Sequence, residues 1–345
     1  MPRVIAIVPP AALLLAACLS LLTGCSRPPE AQTLQGHTMG TTWSVRFVVP
    51  DDDHRIVGLR DDIEEALDTV DRQMSTWRDD SVLTRFNNLE PGQSIIVPAE
   101  FASVLETSLE LAEQTDGMFD PTIGPLVNLW GFGPDGRRDE PPAAEDIEAA
   151  LARVGWRRLS WDPDTRKLTQ PGGSYLDFSA IAKGYAADLV GERLEARGIR
   201  DFIVDLGGDM VIRGQRPGGT PWRIAIERPD PSTREIFSII ELSDQALATS
   251  GSYRNFFEHG EQQFSHTIDP RTGKTIPQEL VSVTVVHNNC KLADGLATAI
   301  TALGADDGYE FAREQGLAAL LLVRDDDDII ERMTDEFAPY IQMEY

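Results

Sequence analysis

Cysteine is scarce in this sequence, which limits the kinds of site it can hold. Its 345 residues include three cysteines, Cys18, Cys25 and Cys290. No CxxC pair or His/Cys cluster indicates a structural zinc site. Cys18 lies inside an apolar N-terminal segment and Cys25 at its end, so Cys290 is the single cysteine expected to remain free. An internal disulfide is therefore not expected in the mature chain.

Basic residues are few relative to acidic ones. There are 31 Lys and Arg residues against 56 Asp and Glu residues, which gives a formal net charge of -25. A nucleic-acid partner is excluded, because binding its phosphates requires a basic surface. A polyphosphate ligand would need local neutralisation, most simply by a divalent cation. No GxGxxG motif follows a predicted strand, so a Rossmann domain is not expected.

Long hydrophobic runs are missing except at the N-terminus. Arg3 precedes an apolar run, residues 4–22, which is interrupted by two prolines. This pattern predicts a secretory signal peptide over residues 1–24 rather than a transmembrane helix. Leu22-Thr23-Gly24-Cys25 resembles a bacterial lipobox, and the resemblance implies cleavage before Cys25 and lipidation of its thiol. A plain signal peptide with a chance cysteine is the alternative.

The lipobox implies a lipid-anchored protein on the periplasmic side of the bacterial envelope. It leaves open whether the inner or the outer membrane holds the anchor. Residues 25–35 are polar and contain two prolines, which predicts a lipidated tether. Residues 36–345 are then expected to form one catalytic domain.

Hydrophobic periodicity predicts an α+β fold, with mixed sheets and packed helices. Apolar residues recur with a helical period over residues 58–72, 98–115, 143–154, 289–304 and 306–316. Strands are predicted over residues 43–49, 202–206, 210–212, 222–226, 236–242, 281–287 and 317–323, with a hairpin over 161–170.

The stretch from Tyr175 to Val190 carries the first candidate site. It is predicted to begin as a short strand, Tyr175-Leu176, and to continue as a helix with Ser179 as its N-cap. Asp177 then lies just before a helix N-terminus and Lys183 lies in its first turns. Such a start can bind phosphate, and Asp177 can hydrogen-bond a polar ring or a ribose. Alternatively, Asp177 only caps the helix and Lys183 is a solvated surface residue.

The predicted helix over residues 289–304 carries a second candidate site. Asp294 and Thr298 are four residues apart and share one helical face. A carboxylate and a hydroxyl one turn apart are hard oxygen ligands suited to Mg²⁺. Asp294 near a helix start would also complement the helix dipole without binding a metal.

Seven segments of the chain together resemble the ApbE family, the FAD:protein FMN transferases. They occur in the family order over roughly residues 35–310. The segments that match family motifs are Met39-Gly40-Thr41, Met74-Ser75-Thr76-Trp77, residues 116–122, 177–184, 205–209, 266–273 and 293–299.

The resemblance implies a Mg²⁺-dependent enzyme that transfers FMN from FAD to a Thr or Ser hydroxyl of a partner protein. A phosphoester forms and AMP is released. Known family partners are redox membrane subunits, such as those of sodium-pumping quinone reductase and Rnf-type complexes. By position, the residues that would line the FAD site are Met39, Trp77, Met118, Phe119, Asp120, Asp177, Lys183 and Ile268.

The resemblance also implies a metal site formed by the carbonyl of Ala180 with Asp294 and Thr298. Other members of the family can carry Thr at the position of Ala180 and an acid at that of Ala297. This chain has alanine at both positions, so neither side chain supplies a ligand here.

The acceptor hydroxyl is a weak nucleophile, so a general base should assist it. His266 is the preferred candidate; its alternative role is that of a structural group that hydrogen-bonds the backbone. Asp294 is the alternative base, but a metal-bound carboxylate is a poorer one.

Two other functions share these residues. The first is a Mg²⁺-dependent FAD pyrophosphatase, in which water replaces the acceptor. The second is a non-catalytic FAD-binding lipoprotein, against which Asp294, Thr298 and His266 argue, because binding alone does not need a metal at the scissile phosphate.

Overall fold

The structure is a computed structural model that describes residues 31–49, 53–229, 235–251, 255–260, 262–325 and 328–344. The predicted signal peptide over residues 1–24 and the predicted lipidation of Cys25 lie outside these residues. Within the described ranges, no helix has both the length and the apolar character needed to cross a membrane.

Strands and helices alternate irregularly along the chain. The strands are β1 (Ala31–Thr38), β2 (Thr41–Val48), β3 (Ser94–Ile96), β4 (Ser160–Asp162), β5 (Lys167–Thr169), β6 (Phe202–Leu206), β7 (Asp209–Arg213), β8 (Trp222–Glu227), β9 (Ile236–Leu242), β10 (Gln245–Gly251), β11 (Phe256–His259), β12 (Gln262–Ser265), β13 (Leu280–His287), β14 (Ala318–Asp325), β15 (Asp328–Met333) and β16 (Ile341–Glu344). The α-helices are α1 (Leu59–Met74), α2 (Val82–Asn87), α3 (Ala99–Gln114), α4 (Gly124–Leu129), α5 (Ala144–Leu151), α6 (Ala182–Ala196), α7 (Cys290–Leu303) and α8 (Ala305–Glu314).

The centre of the fold is an eight-stranded sheet in the order β1-β2-β6-β7-β10-β13-β14-β15. Neighbouring strands in it are antiparallel throughout. Smaller sheets have the orders β16-β9-β8, β3-β5-β4 and β11-β12. This arrangement confirms the predicted α+β class, and it is not a Rossmann fold, whose sheet is mostly parallel.

Both faces of the large sheet are buried. On β14, Leu321 and Val323 pack into a core shared with the helices, whereas Leu320 and Leu322 pack into a second core. The second core is closed by residues of β8 and β9, including Trp222 and Ile240. The alternation follows from the two-residue period of a strand. The sheet is therefore a middle layer between the helices and a small sheet.

Helices α6 and α7 approach each other closely on the helical side. A Cβ atom placed on Gly184 would lie 2.3 Å from the carbonyl oxygen of Cys290, so only glycine fits this contact. The carboxylate of Asp188 on α6 accepts hydrogen bonds from the backbone N–H groups of Cys290 and Lys291, at 3.0 and 2.8 Å. These bonds satisfy amides that the start of α7 leaves unpaired, and they fix one helix against the other.

The long periodic elements are confirmed. The helices predicted over residues 58–72, 98–115, 143–154, 289–304 and 306–316 correspond to α1, α3, α5, α7 and α8. The predicted hairpin over residues 161–170 is formed by β4 and β5.

The tether predicted over residues 25–35 is wrong for residues 31–35, which belong to β1. Strand β1 is at the edge of the large sheet and pairs only with β2. An edge strand tolerates polar side chains because much of it faces solvent. The composition that indicated a tether is therefore compatible with a strand.

The strand predicted at Tyr175-Leu176 is also wrong. Tyr175 makes only an isolated parallel bridge to Ile123. The side chain of Asn87 instead satisfies both backbone groups of Leu176, accepting from its N–H at 2.8 Å and donating to its carbonyl at 3.0 Å. A distant amide side chain thus replaces a neighbouring strand.

Candidate active site

Three charged side chains meet where α6 crosses α7. Lys183 is the second residue of α6, Asp209 begins β7, and Asp294 lies in the second turn of α7. The Nζ atom of Lys183 is 2.6 Å from Oδ2 of Asp209 and 3.3 and 3.4 Å from the two carboxylate oxygens of Asp294. The N–H of Gly184 donates to Oδ2 of Asp294 at 3.0 Å. We call these three side chains the charged centre.

The charged centre holds an excess of negative charge in a buried place. Asp209 is 2 % exposed and Asp294 5 % exposed, and one ammonium faces both carboxylates. Burial, followed by the charge of Asp294, raises the pKa of Asp209 to about 7 despite its ion pair with Lys183. Burial by itself would lower the pKa of Lys183, but the two carboxylates outweigh it and raise that pKa. Lys183 is therefore a permanent cation.

The oxygen atoms present fit a hard divalent cation. A buried excess of one negative charge is costly unless a cation compensates it, and carboxylate oxygens are the ligands that Mg²⁺ prefers. Thr298 is half-buried one turn beyond Asp294, and Ala180 lies just before α6. The loop before α6 also approaches α7, since a Cβ atom on Gly295 would be 3.5 Å from Ile181.

The described residues contain no cluster of acidic, histidine or sulfur ligands at the proposed metal site. In the part of the chain that the structure describes, no three or more His, Cys, Asp or Glu side chains are grouped to bind a metal. The predicted ligands are one carboxylate, one hydroxyl and one backbone carbonyl. Only Asp294 among them belongs to these four residue types. The metal role of Ala180, Asp294 and Thr298 stays a prediction.

Asp177 organises the loop that leads into α6. Its carboxylate accepts hydrogen bonds from the N–H group of Ser179, at 2.8 Å, and from the Ser179 hydroxyl. The prediction that Ser179 is the N-cap is therefore wrong: the helix begins at Ala182, and the hydroxyl of Ser179 is used by Asp177. The N–H of Asp177 donates to the carbonyl of Pro121 at 2.9 Å. This bond places Asp177 beside the loop that follows α3.

That loop, residues 115–123, is held by Asp120. Its Oδ1 atom accepts from the N–H and the hydroxyl of Thr122, at 2.8 and 2.6 Å, and its Oδ2 atom accepts from the N–H of Trp156 at 3.0 Å. Burial raises the pKa of Asp120, and these hydrogen bonds oppose the shift. Both oxygens of Asp120 thus bond to the protein itself, a structural role that the sequence analysis missed.

Met118 and Phe119 belong to the interior. They are 4 % and 5 % exposed. The ring of Phe119 lies beside α7, where a Cβ atom on Gly295 would be 3.7 Å from it. The loop after α3 is therefore packed against the helix that carries Asp294.

Met39 lies in the turn between β1 and β2. Met39 and Gly40 have φ values of 47° and 71° and connect β1 to β2. Residues 37–42 line a cavity of about 500 Å³. The N–H of Gly207 donates to the carbonyl of Thr42 at 3.1 Å, and Gly207 lies in the turn immediately before Asp209. The Gly207-Gly208 turn thus bonds a residue that lines the cavity and leads directly into Asp209.

Trp77 differs from the other predicted ligand residues because its side chain is on the surface. It is 69 % exposed. A large apolar ring left in solvent is a suitable platform for a flat aromatic ligand. Ile268, in contrast, is 5 % exposed and packs with Leu126 and Trp130 in a small core.

His266 is held in one orientation by the backbone. Its Nδ1 atom is 3.2 Å from the carbonyl oxygen of Asn255, which also accepts the N–H of His266 at 3.1 Å. Because a carbonyl only accepts, Nδ1 carries the proton and Nε2 keeps its lone pair. Burial lowers the pKa of His266, and the charge of Lys183 lowers it further. His266 is therefore a neutral base within electrostatic reach of the charged centre.

Asp209 and Gly184 are the residues of this site that sequence reasoning left without a role. Asp209 ends the segment Asp205-Leu206-Gly207-Gly208-Asp209, which the sequence analysis had noted. The paired glycines were a usable signal, because both have positive φ values, 64° and 101°, in the turn before Asp209. Nothing in the local pattern shows that its partner is Lys183.

Comparisons with known proteins identify the family of this chain. The sequence model of the ApbE family matches residues 39–321. FAD:protein FMN transferase of Vibrio cholerae serotype O1 is 39% identical over 325 residues, which cover 94% of this chain and 97% of that protein. The protein of the same name from Escherichia coli K12 is 35% identical over 343 residues, covering 96% and 97%.

Solved structures give the same result. The flavin transferase ApbE from Vibrio cholerae superposes with a TM-score of 0.83 at 38% identity, over 91% of this chain and 100% of that one. The apo form of the flavinyl transferase ApbE from Pseudomonas stutzeri superposes with a TM-score of 0.84 at 39% identity, over 90% and 97%. The chain belongs to the ApbE family.

Proposed function

We propose that this protein transfers the FMN part of FAD to a Thr or Ser hydroxyl of a partner protein, with release of AMP. Two relatives that this chain matches over 97% of their length are named FAD:protein FMN transferase. The observation that carries the proposal is the charged centre of Lys183, Asp209 and Asp294, with a neutral His266 within reach of its charge.

The reaction is a displacement at the flavin-side phosphorus of FAD. The acceptor oxygen forms a bond to this phosphorus, while the bond from phosphorus to the bridging oxygen breaks. The bridging oxygen leaves on AMP with the bonding electron pair. The acceptor's proton passes to Nε2 of His266. A bound Mg²⁺ would neutralise the non-bridging oxygens and the leaving group.

The side chains of this protein supply the rest. Lys183 provides a fixed positive charge for the phosphates, and Asp294, with Thr298 and the Ala180 carbonyl, would hold the cation. Asp294 already accepts from Gly184 and Lys183, so His266 is the better base. Met39 and the exposed Trp77 are proposed to contact the isoalloxazine or adenine ring.

Two further properties belong to this proposal. The segment Leu22-Thr23-Gly24-Cys25 supports a lipid anchor on the periplasmic side of the envelope. The acceptors are then redox subunits of that membrane, of the sodium-pumping quinone reductase or Rnf type.

The test uses the form lacking residues 1–25, with FAD, Mg²⁺ and an acceptor that contains Thr-Gly-Ala-Thr. The acceptor mass and AMP are followed together. We expect an acceptor heavier by one FMN and an equal amount of AMP, both abolished by a chelator. The matched control is the same acceptor with alanine in place of both threonines, which should stay unmodified.

Other outcomes contradict the proposal in distinct ways. AMP and free FMN with an unmodified acceptor would indicate a pyrophosphatase. Tight binding of FAD without any AMP would indicate a non-catalytic FAD-binding protein.

A further inference from the structure

The ammonium of Lys183 lies closer to the carboxylate of Asp209 than to that of Asp294. Its Nζ atom is 2.6 Å from a single oxygen of Asp209 but 3.3 and 3.4 Å from the oxygens of Asp294. Charge-assisted N–H···O bonds are typically 2.7–2.9 Å long. The bond to Asp209 is therefore a full ion-pair bond, whereas the contact with Asp294 is a loose one.

Asp209 belongs to the large sheet. It is the first residue of β7, directly after the Gly207-Gly208 turn, and it faces the helices, since its cross-strand partner Leu206 packs in the helix-side core. Its short bond to Lys183 therefore holds the ammonium on the sheet side of the charged centre.

Lysine and a divalent cation compete for the same carboxylate. A Lys ammonium bonded closely to Asp294 would occupy the oxygens that a cation needs, and it would repel that cation. The distances show that the ammonium lies closer to Asp209 than to Asp294, whose two oxygens it contacts at 3.3 and 3.4 Å. The N–H of Gly184 is the closest donor to Asp294 in the charged centre, at 3.0 Å.

We infer that Asp209 is a positioning residue that holds the ammonium of Lys183 away from Asp294 and so keeps Asp294 available for a divalent cation. The inference rests on the proposed use of such a cation at Asp294. Asp209 acts through Lys183 and is not itself a ligand of the metal. Without its charge, Asp294 becomes the only anionic partner of Lys183 in this cluster.

The test measures binding of Mn²⁺ alone to the intact protein, without FAD or acceptor, from the electron paramagnetic resonance signal of free Mn²⁺. Four proteins are compared: the wild type, Asp209→Asn, Lys183→Met and the double variant. We expect Asp209→Asn to weaken Mn²⁺ binding about tenfold, the scale of a lost bond to a charged group. Lys183→Met should bind Mn²⁺ at least as tightly as the wild type.

The double variant is the decisive comparison. Once Lys183 is absent, Asp209 has nothing to position, so adding Asp209→Asn should change Mn²⁺ affinity by less than about twofold. An equal loss in both backgrounds would overturn the inference and identify Asp209 as a metal ligand.

Asp205→Asn is the matched control. Asp205 belongs to the same hairpin, pairs in register with Met210 and is half-buried. Among the described residues, its carboxylate accepts the N–H of Gly208 at 2.9 Å and is not bonded to Lys183. The variant removes the same charge without touching Lys183 and should leave Mn²⁺ binding unchanged. A loss as large as that of Asp209→Asn would show a general effect of charge and overturn the inference.

Two further measurements separate this inference from the proposed function. Thermal unfolding of every variant verifies that it is folded, and a folded Asp209→Asn with wild-type Mn²⁺ affinity overturns the inference. A wild-type protein that binds no Mn²⁺ overturns it together with the metal assignment. FMN transfer is scored independently by the acceptor mass, so it can stand when the inference fails.

Discussion

The crossing of α6 and α7 and the loop after α3 each contain a buried aspartate, and the two carboxylates have opposite uses. Asp120 bonds two backbone N–H groups and one hydroxyl of the protein itself. Asp294 bonds one backbone N–H and faces an ammonium that is held by another acid. Burial alone therefore does not indicate the role of an aspartate; the groups that bond its carboxylate do. A carboxylate satisfied by neutral donors stabilises the fold, and one placed among charges is available for chemistry.

Asp294→Asn is expected to have the largest effect. The amide oxygen can still accept from Gly184, so the fold should survive with a melting temperature near that of the wild type. FMN transfer should fall by at least about 10³-fold, because a neutral amide is a poor ligand for the proposed Mg²⁺. The rate is measured from the acceptor mass. Unchanged turnover would refute the metal assignment.

Gly184→Ala should disrupt the helix crossing. The new methyl group would lie 2.3 Å from the Cys290 carbonyl and 2.8 Å from Cβ of Asp294. Overpacking of this kind typically costs about 1–3 kcal/mol, and here it also displaces Asp294, so transfer and stability should both fall. The control is Gly191→Ala on the same helix, whose methyl group would meet only side chains, at 3.2 Å from Val211 and 3.6 Å from Phe202. Equal unfolding free energies for the two variants would contradict the prediction.

Asp120→Ala sharpens the contrast with Asp294. It leaves the N–H groups of Thr122 and Trp156 without their acceptor, which should lower the free energy of unfolding by about 1–3 kcal/mol. Denaturant unfolding gives this value, and Asp120→Asn, which keeps one accepting oxygen, should lose less. FAD binding by the folded fraction is the second readout. Weaker FAD binding at unchanged stability would show that Asp120 is a direct ligand instead.

Trp77→Ala tests the exposed end of the site. Because the side chain is 69 % exposed, stability should change by less than about 0.5 kcal/mol. Loss of a stacking platform typically costs about 1–3 kcal/mol, so FAD should bind about tenfold more weakly in a fluorescence titration. Ile96→Ala, at a side chain 73 % exposed, is the control and should bind FAD normally. Equal affinities of both variants would exclude Trp77 from the FAD site.

The smallest expected effect concerns His266. The positive charge of Lys183 disfavours a second positive charge and lowers the pKa of His266. Lys183→Met should therefore raise that pKa toward the ordinary value of 6.5, as followed by NMR titration of the imidazole. The pKa of His287 is lowered by burial, with no contribution from Lys183, so it should not move. Equal shifts of both histidines would indicate a general change of the fold.

Burial of His266, together with the charge of Lys183, lowers its pKa and so sets the pH at which the proposed base is lost. A base whose pKa lies below its ordinary value stays neutral to lower pH. Protonation of His266 should therefore slow FMN transfer only below pH 6.5, whereas protonation of Asp209, whose pKa is about 7, acts at higher pH. The rate is measured between pH 5 and 8. A profile without any fall below pH 6.5 would argue against His266 as the base.

Periodic elements were predictable because their signal is local. The helix predicted over residues 289–304 is Cys290–Leu303, and the strand predicted over residues 281–287 is Leu280–His287. Asp294 and Thr298 share a helical face by spacing alone. The error at Tyr175-Leu176 arose because the bonding partner is far away in the chain. Leu176 is bonded by Asn87, 89 residues earlier, so a strand-like dipeptide has no neighbouring strand.

Local sequence patterns were enough to predict the type of most elements, the motifs of the family and the residue types that the chemistry needs. The pairing of these residues depends on the folded chain. Lys183 meets Asp209 across 26 residues and Asp294 across 111, and the Asn255 carbonyl selects the protonated nitrogen of His266. The physical reason is that periodicity depends on neighbours in the chain, whereas the charge state and hydrogen bonds of a side chain depend on whichever atoms folding brings within a few ångströms of it.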